Sequence, residues 1–244
     1  MKALGVIPAR YGSTRLPAKA LALLDGRPMI QHVYERARQA KRLDALIVAT
    51  DDERIMEAVR KFGGQAAMTR TEHRSGTERV AEVARESQAE IIVNIQGDEP
   101  LIRPEPIDQI VEFLSQHRAV PMATVMTPLA KSDDIASPHV VKVVVSQDGY
   151  ALYFSRSPIP FVRQAPSGAQ QVSWKHLGLY GYQRHFLLEF AHLAPTPLEQ
   201  LEQLEQLRAL ERGYVIKVLE TPFDTVSVDT AEDLSKVASL IKSN

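Results

Sequence analysis

Ala3-Leu4-Gly5-Val6-Ile7-Pro8-Ala9-Arg10-Tyr11-Gly12-Ser13-Thr14-Arg15-Leu16-Pro17-Ala18-Lys19 opens the chain with an apolar run that turns into a basic loop. Ala3 to Ile7, closed by Pro8, reads as a buried parallel strand whose carboxyl end faces a ligand crevice. Beyond it, Arg10, Arg15 and Lys19 place three cations within ten residues. Gly12 permits a tight turn, and Ser13 and Thr14 add hydroxyl and backbone donors, the chemistry that grips a polyphosphate. A solvated basic surface loop is the alternative. Neither G-x-x-x-x-G-K-[ST] nor G-x-G-x-x-G occurs, so a Walker loop and a dinucleotide fingerprint are both absent.

Outward from this strand, apolar runs alternate with helical patterns. Ala45 to Thr50 reads as a strand and Glu53 to Phe62 as a helix, then Ile91 to Ile95 as a strand and Pro106 to His117 as a helix. Such βαβ units predict an α/β fold with a mainly parallel sheet flanked by helices. A first helix is expected from Pro28 to about Lys41, its apolar stripe formed by Ile30, Val33, Tyr34 and Ala37. Between Val140 and Tyr182 the texture becomes β-rich, with runs at Val140 to Ser146, Tyr150 to Ser155 and His176 to Tyr182 around an irregular stretch from Gln164 to Ser173. Leu198 to Arg212 reads as one helix with an apolar side of Leu201, Leu204, Leu207 and Leu210, ended by Gly213. A strand at Tyr214 to Leu219 and a helix from about Thr230 to Lys242 complete the expectation.

The 244 residues carry 29 Lys+Arg against 30 Asp+Glu, so no general charge favours nucleic acid or an acidic membrane, and an anion site must be local. The absence of cysteine excludes disulfides, thiolate metal sites and cysteine nucleophiles. No leader pattern and no apolar run of membrane-spanning length is evident, which predicts a cytoplasmic protein.

Transfer chemistry on a polyphosphate calls for a divalent cation, and magnesium prefers carboxylates and water. Asp98, in Gln96-Gly97-Asp98-Glu99-Pro100, falls at the carboxyl edge of a buried strand. Asp229 is read as the end of a short strand, with Thr230 and Asp233 resembling an acidic capping box. Turn formation for Asp98 and helix starting for Asp229 are the competing readings. Asp51 and Asp52 occupy a similar strand edge, where Asp52 can cap the following helix.

Several further motifs add to these: Val48-Ala49-Thr50-Asp51, Met68-Thr69-Arg70, Ser75-Gly76-Thr77-Glu78-Arg79, Tyr150 to Arg156, His176 to Tyr182, Leu204 to Arg208 and Val228-Asp229-Thr230. With them, essentially the whole chain resembles the 3-deoxy-manno-octulosonate cytidylyltransferases, the CMP-Kdo synthetases of Gram-negative lipopolysaccharide synthesis. The resemblance implies a Rossmann-like nucleotidyltransferase fold in one domain, residues 1–244, with a β-rich dimerisation and substrate subregion at about 138–182. It implies CTP and Kdo as substrates, Mg²⁺ as cofactor, and a cytoplasmic homodimer with neither nucleic acid nor membrane as partner. Arg10, Ser13, Arg15 and Lys19 would hold the triphosphate, with Arg10 and Lys19 also catalytic. Thr69, Arg70, Ser75, Gly76 and Thr77 would line the nucleotide side, and Asp98 and Asp229 would carry the metal. Arg79, Gln96, Arg156, His176, Tyr180, Glu205 and Gln206 would meet the sugar acid, with Arg79 and Arg156 suited to its carboxylate. Taken as residues alone, His176, Tyr180, Glu205 and Gln206 also fit an ordinary strand and a solvated helix face. Ala18 and Ala231 depart from the family's usual glycine and proline, and both are expected to be conservative. An 8-amino Kdo analogue, another acid sugar such as sialic acid, and a non-catalytic nucleotide-binding module are the alternatives.

Overall fold

The apolar opening run forms strand β1 (Ala3–Ala9), and its alternating side chains separate two hydrophobic layers. Ala3, Ile7 and Ala9 join one layer, whereas Leu4 and Val6 join the other, as the period of two along a strand dictates. A computed structural model describes residues 2–12, 16–129, 132–164 and 173–243. Ser13 and Arg15 of the expected phosphate loop, and residues 165–172 of the irregular stretch, lie outside the described residues.

After β1 come the two-stranded ladder of β2 (Leu23–Leu24) and β3 (Arg27–Pro28), then α1 (Met29–Ala37), β4 (Ala45–Thr50), α2 (Glu53–Lys61) and β5 (Ala66–Met68). The chain continues through α3 (Gly76–Glu86), β6 (Ile91–Asn94), α4 (Pro104–Gln116), β7 (Met122–Leu129), α5 (Ser132–Ala136), β8 (Lys142–Val145), β9 (Ala151–Ser155) and β10 (Ser173–Gln183). Helices α6 (Arg184–Phe190), α7 (Pro197–Glu202) and α8 (Gln206–Glu211), strand β11 (Ile216–Glu220) and helix α9 (Ala231–Ser243) follow.

The sheet runs β11-β7-β10-β6-β1-β4-β5, with the β8-β9 hairpin attached to β10. Its β6-β1-β4-β5 half and the β11-β7 pair are parallel, while β10 runs antiparallel between β6 and β7. Helices α1, α2 and α4 cover one face and α3, α6 and α8 the other. The stripe expected on α1 is buried at Ile30, Val33, Tyr34 and Ala37. Fully burying Ile30 and Val33 contributes roughly 1.5–3 kcal/mol of transfer free energy each. Both faces being covered explains why the β1, β4 and β6 sequences are nearly continuous apolar runs.

Three expectations are corrected. Leu198 to Arg212 is two short helices, because Gln203 adopts a left-handed conformation with φ 53° and turns the chain. Leu204 and Leu207 are thereby buried while Leu201 stays 81% exposed, so the four leucines do not form one side. Asp229 ends no strand, since residues 221–230 run as irregular chain over the carboxyl edge of the sheet. Ala18 is not conformationally neutral: its φ of 52° and ψ of 32° lie in the left-handed region, where the family's glycine is free of Cβ strain.

Candidate active site

The chain leaves β5 for α3 and returns through β6 on the opposite side of β1, so the order reverses between β6 and β1. Crevices at such a reversal, beyond the strand carboxyl ends, are where open α/β sheets bind ligands. A cavity of about 280 Å³ lies there. It is lined by Pro8, Ala9 and Arg10 from the end of β1, by Gln96, Gly97 and Asp98 from the end of β6, and by Ser75, Gly76 and Arg79 from the start of α3. Lys19 and Asp229 close the wall.

Gly97 is required by close approach: a Cβ there would stand 2.8 Å from the Pro8 carbonyl oxygen. Gly97→Ala is expected to cost about 1–3 kcal/mol by overpacking and to displace Asp98. A urea midpoint unchanged from wild type would contradict this.

Asp229 reaches Asp98 across 131 positions through three anchors. The Val228 backbone N–H donates to the Asp98 carbonyl at 2.9 Å. Lys175 clips the incoming segment by donating to Asp224 at 2.6 Å and to the Thr225 carbonyl at 3.0 Å. Val228 itself is buried with Leu24, Met29 and Val237. Asp229 then meets the N-terminus of α9, where Thr230 and Asp233 exchange backbone-to-side-chain bonds of 2.9 and 3.1 Å, the acidic capping box expected there.

Lys19 Nζ donates to Asp98 Oδ2 at 2.6 Å and to Asp229 Oδ1 at 2.8 Å. One cation position therefore has a hard oxygen from each of two carboxylates. That donor set fits magnesium, which uses one or two carboxylates and completes its octahedron with water and phosphate oxygens.

Helix α3 begins at the cavity with Ser75 as N-cap, its hydroxyl accepting from the Glu78 N–H at 3.2 Å. The N-terminal amides and the helix dipole there favour an anion. Arg79 is buried and donates to Asp51 at 2.6 Å and to the Thr69 hydroxyl, which ties α3 to the ends of β4 and β5. Thr69 in turn bonds the Thr50 carbonyl. Asp52 caps α2, accepting from the Arg54 N–H at 2.9 Å.

Of the residues singled out from sequence, Arg10, Lys19, Ser75, Gly76, Arg79, Gln96, Asp98 and Asp229 line the cavity. Thr77 stands behind it, donating to Glu205. Thr69 is buried beside Arg79, while Arg70 is exposed. Gln96 donates to the Gly178 carbonyl at 2.9 Å, where β10 carries an irregularity between Leu177 and Tyr180. Such a bulge re-aims a strand beside a site. Tyr180 is half-buried, opposite Asn94 of β6 in register, with its ring 5.4 Å from that of His176. Arg156 does not line the cavity, and its guanidinium donates to the carbonyls of Glu202 and Pro138 at 2.8 and 3.0 Å.

Glu205 opens α8 beside Arg208, which grips Glu199 with two donors. Burial raises the Glu205 carboxyl above its ordinary pKa, against the opposing Thr77 bond. Among the described residues, buried Asn94 Oδ1 and Gln206 Nε2 have no hydrogen-bond partner, and neither does Glu99 Oε2. Burial, then the adjacent Asp98 carboxylate, pushes Glu99 up to about 8.

His176 is enclosed, within 3.0 Å of the Thr124 hydroxyl and edge-on to Phe154. Burial lowers its pKa from 6.5 to about 3. The unfolded chain then binds a proton that the native chain refuses between those values, so stability is lost as pH falls below about 6.5. A slope of up to about 1.4 kcal/mol per pH unit is expected from this group. Urea titrations between pH 7 and 4.5 should show the slope reduced in His176→Gln; equal slopes would contradict the buried neutral ring.

Two polar cavity residues escaped the sequence reading, His73 and Arg74, along with the apolar Ala20 and Met29. The His73 ring is held by Glu82, and Arg74 grips Glu78 at 2.8 and 3.0 Å. Their position between the Met68-Thr69-Arg70 motif and the Ser75 cap was the available signal.

A model of the cytidylyltransferase family matches residues 4–220. A 3-deoxy-manno-octulosonate cytidylyltransferase of Geotalea daltonii is 52% identical over 250 residues, covering 99% of each chain. One from Solibacter usitatus is 53% identical over 243 residues, covering 100% of this chain and 96% of its own. The solved structure of a CMP:2-keto-3-deoxy-manno-octonic acid synthetase complexed with CTP superposes with a TM-score of 0.94 at 45% identity, over 100% of this chain and 99% of that one.

Proposed function

The chain belongs to the 3-deoxy-manno-octulosonate cytidylyltransferases, and from that membership we propose that it transfers CMP from CTP to 3-deoxy-D-manno-octulosonate, releasing pyrophosphate. The observation that carries this reading is the pair of carboxylates, Asp98 and Asp229, converging on one cation position beside a basic strand end and a helix N-terminus. A pyrophosphate-release assay with CTP and with UTP against a panel of sugar acids tests it. Release with CTP and Kdo is expected to exceed that with sialic acid or with UTP. Tight CTP binding without release on any acid sugar would favour a non-catalytic nucleotide-binding module instead.

In this reading the anomeric C2 hydroxyl attacks the α-phosphorus in line, and the oxygen bridging the α- and β-phosphorus leaves with pyrophosphate. Positioning and charge neutralisation supply most of the catalysis. Arg10 and Lys19 hold the β- and γ-phosphates and stabilise the charge of the leaving group. Thr69, Arg70, Ser75, Gly76 and Thr77 bound the nucleotide side, the start of α3 directing N–H groups at the phosphates. Asp98 and Asp229 would hold Mg²⁺, which would supply charge neutralisation for the reacting phosphate and lower the pKa of the attacking hydroxyl. Gln96, Tyr180, Glu205 and Gln206 form the sugar side, with His176 and Arg156 supporting them.

The β-rich subregion at about 138–182 is read as the dimer surface of a cytoplasmic homodimer, supported by its Leu152 and Phe161 being 63% and 87% exposed. Among the described residues no helix is long and apolar enough to cross a membrane.

A further inference from the structure

Lys19 stands where the reading above requires a metal ion. Its Nζ lies between Asp98 Oδ2 and Asp229 Oδ1 at 2.6 and 2.8 Å, and its side chain is 14% exposed against 31% and 34% for the two carboxylates. The Lys19 side chain is thus the most enclosed of the three. A divalent ion bound to the same two oxygens would sit within a few ångströms of a like charge, which is strongly unfavourable in a shielded crevice. Both cations cannot use these oxygens together.

We propose that Lys19 is a resident counter-cation: it holds the two carboxylates together in the free protein and yields them to the metal only when a triphosphate draws its ammonium away. The inference rests on reading Asp98 and Asp229 as the metal carboxylates.

Three features fit this exchange. The lysine charge is a point on a flexible four-carbon stem, so it can pivot between partners, which a planar arginine fork does less readily. Its backbone is held, with Leu21 N–H donating to the Ala18 carbonyl at 2.8 Å and Ala22 N–H to the Lys19 carbonyl at 3.1 Å. The exchange is therefore a side-chain swing. Finally, Arg10 and the start of α3 line the same cavity, so a triphosphate drawn to them brings its oxygens to the Lys19 ammonium. Loading becomes cooperative, and by linkage the metal strengthens nucleotide binding by the factor by which nucleotide strengthens metal binding.

The test measures free Mn²⁺ by electron paramagnetic resonance during titration of the purified full chain, without acid sugar. Without CTP, Lys19→Gln and Lys19→Met are expected to bind Mn²⁺ about tenfold or more tightly than wild type. Adding Asp98→Asn to Lys19→Gln should abolish the gain. Urea midpoints establish that each variant is folded, and Mg²⁺ alone should raise the midpoint of Lys19→Gln more than that of wild type. If neither Lys19 variant gains affinity while Asp98→Asn weakens Mn²⁺ binding in the presence of CTP, the counter-cation role is overturned and the metal reading stands. If Asp98→Asn alters Mn²⁺ binding in no background, the metal reading falls and the proposal falls with it.

Discussion

Asp98→Ala is expected to lower turnover about a thousandfold or more while CTP still binds. A bound metal supplies several kcal/mol of transition-state charge stabilisation, and each 1.36 kcal/mol is about tenfold in rate. Among the described residues, Asp98 and Asp229 are the two carboxylates that meet at the Lys19 ammonium, so the loss of Asp98 removes one of the two oxygens that would hold the ion. Arg10, Lys19 and the N-terminus of α3 remain to bind the triphosphate. The effect should therefore fall on kcat far more than on CTP affinity, which single-turnover rates and equilibrium CTP titration would separate. Near-normal turnover with Mg²⁺ would remove Asp98 from the metal site.

Arg79→Met is expected to destabilise the fold by about 3–5 kcal/mol. The Arg79 side chain is 4% exposed and its partner Asp51 16%. Removing one member of such a pair leaves a shielded charge uncompensated, a larger loss than the net worth of the pair. The same guanidinium holds the Thr69 hydroxyl and thereby the β5 to α3 connection at the rim of the cavity. Arg79→Met with Asp51→Asn should recover much of the lost stability, a coupling that a double-mutant cycle in urea measures. If Arg79→Met instead keeps wild-type stability and only raises KM for the acid sugar, the substrate role implied by the family resemblance is the correct one and the structural role is not.

The parallel half of the sheet was legible because β1, β4 and β6 are short apolar runs ending in turn residues, and burial on both faces imposes that pattern. Strand β10 was legible as β structure, but its antiparallel insertion between β6 and β7 was not, since pairing partners leave little local signature. The division of α7 from α8 was hidden because Gln203 takes a left-handed conformation without the glycine that usually marks one. The site followed the same division. Lys19, Asp98 and Gly97 announced themselves at strand ends and turns, whereas the route of Asp229 to Asp98 depends on Lys175, Asp224 and Val228, contacts between distant segments that no periodicity encodes. Arg79 and Arg156 show what residue type alone conceals: cations suited to a sugar carboxylate are also bonded within the fold, Arg79 to Asp51 and Arg156 to backbone carbonyls.

The account is tested most directly by following CTP labelled at the α-phosphorus through reaction with Kdo and Mg²⁺. It predicts that the label enters the sugar nucleotide, with unlabelled pyrophosphate released in equal amount. Label remaining in CTP, or appearing in free CMP without a sugar nucleotide, would contradict it.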